Sequence, residues 1–418
     1  MHPALITSIL VWTIALASIL LMLLRPRGIQ EAWWACGGAI LLTVTGLISF
    51  RQAVSAASEG LDVYLFLAGM MVLAEIARVE HLFDWAAAVA AAHARHSSRR
   101  LFTLIYLVGI VVTALLSNDA TAVVLTPAVL AVMRRIRTDP KPYLLACALI
   151  ANAGSFVFPI SNPANLVVFD RHMPPLAAWL HIFLLPSIAS IVVTFLVLRW
   201  RCRAQLQGSL EGELHTAHLT AEGKIALAGL LLAALALIIS SAAGIPLGAP
   251  TCAAALLVLI VVAMRNRSLV AQVARDVSWS VLPLVAGLFI LVEALKNRGL
   301  LQAGLAGLQS LAREPGIVTR CASAFAVALL SNAMNNLPVG LMSGAAIQHA
   351  QESGLISHAL LIGVDLGPNL SVTGSLATIL WLIALRRENV EITAREFFAV
   401  GVFAMPLALA ASLLLLLN

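Results

Sequence analysis

Apolar stretches of about 20 residues recur along the whole chain and alternate with short polar or charged segments. A stretch of this length matches the hydrocarbon core of a bilayer, so each one predicts a membrane-spanning helix. The first stretch lacks a basic leader region and a small-residue cleavage site, and we expect it to remain as the first span. The uninterrupted spans are expected at about residues 4–24, 33–50, 63–76, 179–198, 225–241, 250–264 and 280–295 and at the chain end.

A less hydrophobic segment follows the third span of each half. Residues 80–100 alternate charged residues with alanines and contain no apolar core long enough to cross a bilayer. This composition favours an amphipathic arm that lies in the membrane interface. Residues 296–313 form a shorter segment at the corresponding place in the second half, where we expect a second arm.

Two further apolar runs, at residues 101–133 and 317–348, are interrupted near their middle by polar residues. We interpret these runs as re-entrant hairpins whose tips face each other near the membrane midplane. A carboxylate at that depth has a high free-energy cost, and its presence indicates a functional role. The polar residues are Ser117, Asn118, Asp119 and Thr121 in the first run and Ser331, Asn332, Asn335 and Asn336 in the second.

Residues 143–170 and 356–385 contain proline, glycine and several polar residues in their middle. Proline removes a helical hydrogen bond, so each segment predicts a helix that is broken at mid-membrane. The polar residues at the breaks are Asn152, Ser155, Ser161, Asn162 and Asn165 in the first segment and Asp365, Asn369, Ser371, Thr373 and Ser375 in the second.

The landmarks repeat at a nearly constant spacing. Gly69 corresponds to Gly287 at an offset of 218, and Ser117 corresponds to Ser331 at an offset of 214. This spacing indicates two homologous units, at residues 1–205 and 206–418. Each unit has five crossings, an odd number, so the second must lie inverted. The sequence therefore predicts an all-α polytopic membrane protein with two inverted repeats of five spanning helices and a re-entrant hairpin each. Broken helices meet at the midplane, as in secondary transporters.

Composition agrees with this architecture: 61% of the residues are hydrophobic and 11% are charged. The net charge of +6 does not indicate nucleic-acid binding, because the basic residues lie at helix ends, where they set orientation. With both termini external, all but six of the 26 Lys and Arg residues face the cytoplasm. The first hairpin then enters from the cytoplasm and the second from outside. The six external residues are Arg51, Arg171, Lys296, Arg298, Arg313 and Arg320.

The predicted lining is rich in hydroxyl and amide groups and has no buried Lys or Arg. Such a lining suits a small neutral polyol-like solute or a cation, whereas a dicarboxylate favours a guanidinium or ammonium partner. Helix N-termini alone could still hold an anion. Asp119 and Asp365 can each load and release a proton as access alternates. The alternative is that they cap helix termini and stay ionised.

Other chemistry has little support in the sequence. The five cysteines are scattered, which favours small packing residues over a disulfide framework or a metal cage. No nucleotide-binding motif occurs, and we expect no cofactor, no metal site and no enzymatic activity in this chain. Glu75 and Glu293 each precede a basic residue by three positions, which predicts ion pairs with Arg78 and Lys296.

Four segments resemble the ArsB arsenite/antimonite efflux family of the ion-transporter superfamily. The resemblance implies export of arsenite and antimonite, as neutral trihydroxides, from the cytoplasm across the inner (plasma) membrane in exchange for protons. Sodium-coupled members of the superfamily have Ser-Asn-Thr at the tip, and Ser-Asn-Asp in this chain favours protons. The segments are SNDATAVVLTP (117–127), SNPANLVVF (161–169), NAMNNLPVG (332–340) and DLGPNLSVTGSLATILW (365–381).

Several alternatives remain open at the level of sequence. The protein could be a cation/proton antiporter, or an exporter of another neutral hydroxide such as silicic acid. Some members of the family dock a cytoplasmic ATPase, for which residues 199–222 are a candidate platform, and the chain could be the membrane subunit of such a pump. Cys147 is the one thiol near the predicted site, and a single thiolate cannot form a three-sulfur arsenite site.

Overall fold

The computed structural model describes residues 3–169, 173–208, 210, 218–297, 317–350 and 354–416. The regular structure of these residues is helical. Several features predicted from the sequence lie outside them: most of the second arm from residue 298 onward, loop residues 209 and 211–217, and the basic residues Arg171, Arg298 and Arg313.

Ten helices follow one another in the first half of the chain. The long spans α1, α4 and α10 lie at the predicted places, and the predicted arm is helix α5. The helices are α1 (Pro3–Leu24), α2 (Glu31–Val44), α3 (Phe50–Glu59), α4 (Leu61–Val79), α5 (Leu82–His93), α6 (Ser98–Leu115), α7 (Thr126–Arg135), α8 (Lys141–Ala153), α9 (Pro163–Phe169) and α10 (Leu176–Arg201).

The second half repeats this order, except at the predicted arm. Most of the described helices have a counterpart of similar length in the first half, although the helix at Leu376–Arg387 has 12 residues and α9 has 7. These helices are α11 (Ala221–Ala242), α12 (Gly248–Ala263), α13 (Ser268–Asp276), α14 (Val281–Lys296), α15 (Ile317–Met334), α16 (Asn336–Ala350), α17 (Leu355–Leu366), α18 (Leu376–Arg387) and α19 (Ala394–Leu416).

The prediction of the second span, at residues 33–50, was wrong at the C-terminal end. Helix α2 ends at Val44, and the chain turns through Gly46, whose φ is +70°. Helix α3 then starts at a capping box: the Ser49 hydroxyl accepts from the Gln52 amide, and the Gln52 side chain accepts from the Ser49 amide at 3.0 Å. The apolar residues across this turn resembled one continuous span, but the local cap fixes a new helix start.

The first hairpin is interrupted at Leu116–Ser117, as predicted, but its helical arms extend further than residues 101–133. Ser97 caps α6 by accepting from the Arg100 amide, which moves the start of the arm toward the N-terminus. After the interruption the chain forms a π-helix, Ala120–Leu125, which continues directly into α7. Segments of π-helix often occur at functional sites.

Both predicted helix breaks are present. Helix α8 ends at Ala153, a short 3₁₀ turn follows at Pro159–Ser161, and Pro163 opens α9. In the second half, α17 ends at Leu366, a 3₁₀ turn follows at Gly367–Asn369, and α18 begins at Leu376. Proline lacks an amide hydrogen and therefore fits the first turn of the helix that restarts.

Six helices in the described part of the chain are long and apolar enough to cross a membrane, or seven if the bent pair α3–α4 counts as one span. That pair bends by 49° around Gly60. Helices α2 and α12 are apolar but shorter, and the broken segments divide their length between two helices. The predicted ten crossings therefore remain a prediction.

The two halves pack against each other through equivalent helices. Helix α4 packs on α12, and α14 packs on α2. A Cβ atom on Gly69 would lie 2.7 Å from the Thr251 backbone, and one on Gly287 would lie 2.8 Å from the Ala35 backbone. Since Gly69 and Gly287 are separated by 218 residues, the same close helix contact occurs twice.

Candidate functional site

A cavity of about 650 Å³ lies between α4, the π-helix of the first hairpin, α18 and the connection from α13 to α14. We call it the vestibule. Its mouth carries exposed charged residues, among them Arg78, Asp84 and Arg387. Its inner end carries Ser117, Asp119 and Pro163. The vestibule thus leads from a charged rim to the predicted tip of the first hairpin.

Asp119 is half-buried in the vestibule wall. Its amide donates to the Asn118 side-chain oxygen at 2.9 Å, and the Ala120 amide donates to the Ser117 hydroxyl at 3.2 Å. Ser117 and Asn118 therefore satisfy the first amide groups of the helix, which was the alternative role considered for Asp119. Among the described residues, no hydrogen bond or ion pair engages the Asp119 carboxylate.

Asp365 occupies a different environment, at the end of α17. Its side chain is fully buried, and it is not part of the vestibule wall. One carboxylate oxygen accepts from the Asn162 amide at 2.8 Å. The other oxygen has no hydrogen-bond partner in the described part of the chain. Asp119 is thus exposed to the vestibule, whereas Asp365 is enclosed by the protein.

The two helix breaks are joined by an amide pair. Asn152 donates to the Asn369 side-chain oxygen at 3.0 Å, and Asn369 donates to the Leu149 carbonyl at 3.1 Å. The Ser375 hydroxyl donates to the Asn152 oxygen at 3.5 Å and also caps α18. Because all three side chains are buried, they bind the breaks to each other rather than line open space.

Other predicted site residues of the first half satisfy the interrupted backbone. Asn165 donates to the Ser155 carbonyl at 2.9 Å, and the Ser155 hydroxyl donates to the Asn152 carbonyl at 2.7 Å. The Ser161 hydroxyl donates to the Ala114 carbonyl at 3.1 Å and so attaches the break to helix α6. These bonds serve backbone groups that a regular helix would have paired.

The second hairpin meets the second break in a similar network. Asn332 donates to the Gly367 carbonyl at 2.8 Å and accepts from the Ser371 hydroxyl at 2.7 Å. The Thr373 hydroxyl donates to the Asn332 carbonyl at 2.9 Å. The remaining members, Ser331, Asn335 and Asn336, bond the Val327 carbonyl, the Leu337 amide and the Gly374 carbonyl respectively. None of these second-half residues lines the vestibule.

Sequence reasoning missed the wall and mouth of the vestibule. The predicted ion pairs Glu75–Arg78 and Glu293–Lys296 are present, and Arg78 also pairs with Asp276 at 2.8 Å. From the sequence, Glu75 was assigned only an ion pair with Arg78, yet both residues line the vestibule. The sequence feature that could have indicated a place in the cavity wall was the position of Glu75 and Arg78 at the end of a predicted span.

A second, much smaller cavity of about 50 Å³ occupies the equivalent place in the other half. We call it the outer pocket, after the side of the membrane that the distribution of Lys and Arg predicts for it. In the segments that precede the two hairpins, six of its ten lining residues are related by the offset of 218 to residues of the vestibule wall, and a seventh, Leu341, is related to Pro127 by the hairpin offset of 214. The six pairs are Glu59 with Val277, Val63 with Val281, Met71 with Phe289, Ala74 with Val292, Glu75 with Glu293 and Arg78 with Lys296.

Within the described residues, no group of three or more His, Cys, Asp or Glu side chains could hold a metal ion. The cysteines Cys36, Cys147, Cys202, Cys252 and Cys321 are free thiols. Cys147 is buried in α8 and is not part of the vestibule wall.

The family model described as CitMHS, citrate transporter, matches residues 18–364. The chain belongs to the CitMHS family. CitMHS membership agrees with full-length likeness to the arsenical pump membrane proteins of Escherichia coli K12 and Yersinia enterocolitica, each 28% identical over 408 residues. The first match covers 94% of this chain and 95% of that protein. The resemblance predicted from the four sequence segments is thereby confirmed.

This CitMHS protein is also similar to a solved structure, the Alcanivorax borkumensis YdaH transporter, whose topology is described as unusual. The TM-score is 0.56 at 15% sequence identity, with 88% of this chain and 87% of that chain covered. The likeness supports the fold alone. Together with the apolar helices, these relatives identify a multi-pass membrane transporter rather than an enzyme.

Proposed function

We propose that this transporter exports arsenite and antimonite, as neutral trihydroxides, from the cytoplasm in exchange for protons. The observation that carries the proposal is the Asp119 carboxylate, which lies half-buried and without an ionic partner among the described residues at the inner end of the vestibule. The names of the curated relatives, which cover nearly the whole chain, support the choice of substrate.

The inner end of the vestibule offers the right kind of groups for a small neutral hydroxide. The Ser117 hydroxyl and the Asp119 carboxylate can both accept hydrogen bonds from substrate hydroxyls. The arginines Arg78 and Arg387 lie instead among the charged residues of the wall, and Arg78 is paired with two acids. A substrate at the inner end therefore needs no negative charge.

Proton exchange follows from the same carboxylate. Asp119 in its ionised form accepts hydroxyl hydrogens of the substrate in charge-assisted bonds, and in its protonated form one oxygen becomes a donor and the negative charge is lost. Protonation from the opposite side and substrate binding from the cytoplasm then compete for the same carboxylate. Asp365 has one carboxylate oxygen without a hydrogen-bond partner among the described residues, which leaves room for a second proton site.

We also propose that residues 1–205 and 206–418 are inverted repeats with both termini external. The repeated helix order, the reciprocal contacts of Gly69 and Gly287 and the paired lining of the two cavities support this arrangement. The charged mouth of the vestibule belongs to segments assigned to the cytoplasm by the distribution of Lys and Arg. The structure then corresponds to a state open to the cytoplasm and closed outside.

A citrate carrier is the second candidate, because the matching family model is described as a citrate transporter. Arg78 and Arg387 in the vestibule wall would be its anion-binding groups. Two acids already neutralise Arg78, and the nearest groups at the inner end are a hydroxyl and a carboxylate. A trivalent anion would meet repulsion there, which makes this the weaker candidate.

Purified protein in liposomes tests the proposal. With an acidic lumen, we expect arsenite and antimonite to accumulate inside, and collapse of the pH gradient to stop accumulation. Citrate, silicic acid and sodium are measured in parallel. Gradient-driven uptake of citrate without arsenite uptake would favour the second candidate. Because these liposomes contain no ATPase, any arsenite accumulation also excludes a role as a mere pump subunit.

A further inference from the structure

A groove of about 340 Å³ lies on the protein surface where the end of α10 meets the start of α6. We call it the arginine groove. It shares no residue with the vestibule or the outer pocket. Its lining consists of Arg99, Leu196, Arg199, Trp200, Arg203 and Leu206.

The arginine groove carries positive charge without an acidic partner in the described part of the chain. Arg99, Arg199 and Arg203 are all exposed, and none of the described residues that line the groove is acidic. Within the described ranges none of the three takes part in an ion pair, in contrast to Arg134 and Lys141 nearby on the same predicted face. Three unpaired guanidiniums facing one groove favour an anion with several acceptor oxygens.

The remaining lining is apolar, and two of its three residues, Leu196 and Trp200, lie on α10. Leu196 is one helical turn from Trp200, and their exposed fractions are 55% and 50%. Trp200 is held in place by an edge contact with Phe403, with ring centroids 5.4 Å apart, and by Arg201 at 5.6 Å. Tryptophan prefers the level of lipid headgroups, with apolar residues such as Leu196 directed toward the acyl chains.

The groove is built by specific contacts between two distant parts of the chain. The Ser98 hydroxyl donates to the Gly208 carbonyl at 2.6 Å, and the Leu210 amide donates to the His96 carbonyl at 3.0 Å. These bonds hold the turn that carries Arg203 against the first turn of α6, which carries Arg99. The three guanidiniums therefore face the groove from two segments that are fixed to each other.

We infer that the arginine groove binds the headgroup of an anionic phospholipid, with the phosphate between the guanidiniums and an acyl chain along Leu196 and Trp200. Basic pockets between spanning helices on a cytoplasmic face are suited to such headgroups. The bound lipid would link α10 to α6, the first helix of the first hairpin. The inference does not depend on the identity of the transported substrate.

Native mass spectrometry of the full protein, delipidated and then incubated with phosphatidylglycerol or phosphatidylcholine, tests the inference. We expect phosphatidylglycerol to be retained, and R99Q/R199Q/R203Q to weaken retention by about tenfold or more. The control R135Q/R265Q/R267Q removes three exposed arginines outside the groove and should retain the lipid.

Three results would overturn the inference: equal loss in both triple variants, no loss in the groove variant, or equal retention of phosphatidylcholine. Displacement by inorganic phosphate at millimolar concentration would assign the groove to a soluble anion instead. The single variant R199Q, compared with R199K, provides the same comparison if the triple variant does not fold. Retention by R199K together with loss in R199Q is expected.

Discussion

Asp119 and Asp365 illustrate what a single residue reveals before and after its surroundings are known. Both were identified from the sequence because carboxylates inside apolar runs are expensive. Their different environments depend on residues far away in sequence, above all Asn162, which bonds Asp365 across 203 positions. The depth of a charge is thus predictable from its neighbours along the chain, whereas its exposure to a cavity is a property of the tertiary fold.

The first prediction concerns these carboxyls. Asp119→Asn keeps an acceptor oxygen but removes the ionisable carboxylate that carries the proton, so we expect proton-driven arsenite uptake into liposomes to fall by about tenfold or more, equivalent to about 1.4 kcal/mol. We expect Asp365→Asn to abolish coupling as well. Asp84→Asn, an exposed carboxylate at the vestibule mouth, is the matched control and should transport normally. Unchanged coupling in both test variants would contradict the proposal.

The second prediction concerns Glu80, which lies directly after α4 and is buried. Burial and the nearby charge of Glu222 hold the pKa of its carboxyl above the ordinary value. Folding therefore favours the protonated form, and the contribution of Glu80 to stability falls as pH rises from the unfolded pKa through the folded pKa. We expect Glu80→Gln to raise the melting temperature in detergent at pH 8 and to differ little from wild type at pH 4. A larger gain at pH 4 would contradict this assignment.

At the scale of helices, the sequence predicted the interruptions but not the details of the connections. Prolines and glycines within apolar runs mark the breaks after α8 and α17, because their effect on a helix is local. The π-helix after Asp119 and the early end of α2 were not predicted. The first has no local signal in an apolar stretch, and the second depends on a capping box that resembled the interior of a span.

The third prediction concerns helix contacts at Gly69 and Gly287. A leucine at either position would overlap the backbone of the facing helix, since even a Cβ atom lies within 3 Å of it. We expect each substitution to destabilise the protein by about 1–3 kcal/mol, measured as a lower melting temperature in detergent. Gly37→Leu is the control, because nothing lies within 4 Å of its Cβ position. A loss of stability at Gly37 equal to that at Gly69 would show that the glycine contacts are unimportant.

At the scale of the whole molecule, the duplicated landmarks predicted two related halves, but they could not predict that the halves differ in openness. The vestibule measures about 650 Å³ and the outer pocket about 50 Å³, although most residues of the outer pocket have a counterpart in the vestibule. We propose that the sequence repeat specifies two similar half-pathways. Which of them is open depends on packing across the entire bundle.

The fourth prediction uses this difference. In a variant without native cysteines, Ala74→Cys in the vestibule and Val292→Cys at the equivalent place in the outer pocket are labelled with a membrane-impermeant thiol reagent. We expect the cysteine at 74 to react faster, because its wall is open to water. Under a pH gradient that drives transport, the cysteine at 292 should become reactive from the opposite side. Equal rates at both sites in the resting protein would show that the two cavities do not differ in access.

The contact between Asn152 and Asn369 bears on how such a protein avoids leaks. Each amide belongs to the interruption of a different half, and the two are bonded directly in the buried centre of the molecule. We propose that this bond couples the two interruptions, so that a movement of one during transport also moves the other. Opening on one side and closure on the other would then be a single motion, without a stage at which water crosses the whole membrane.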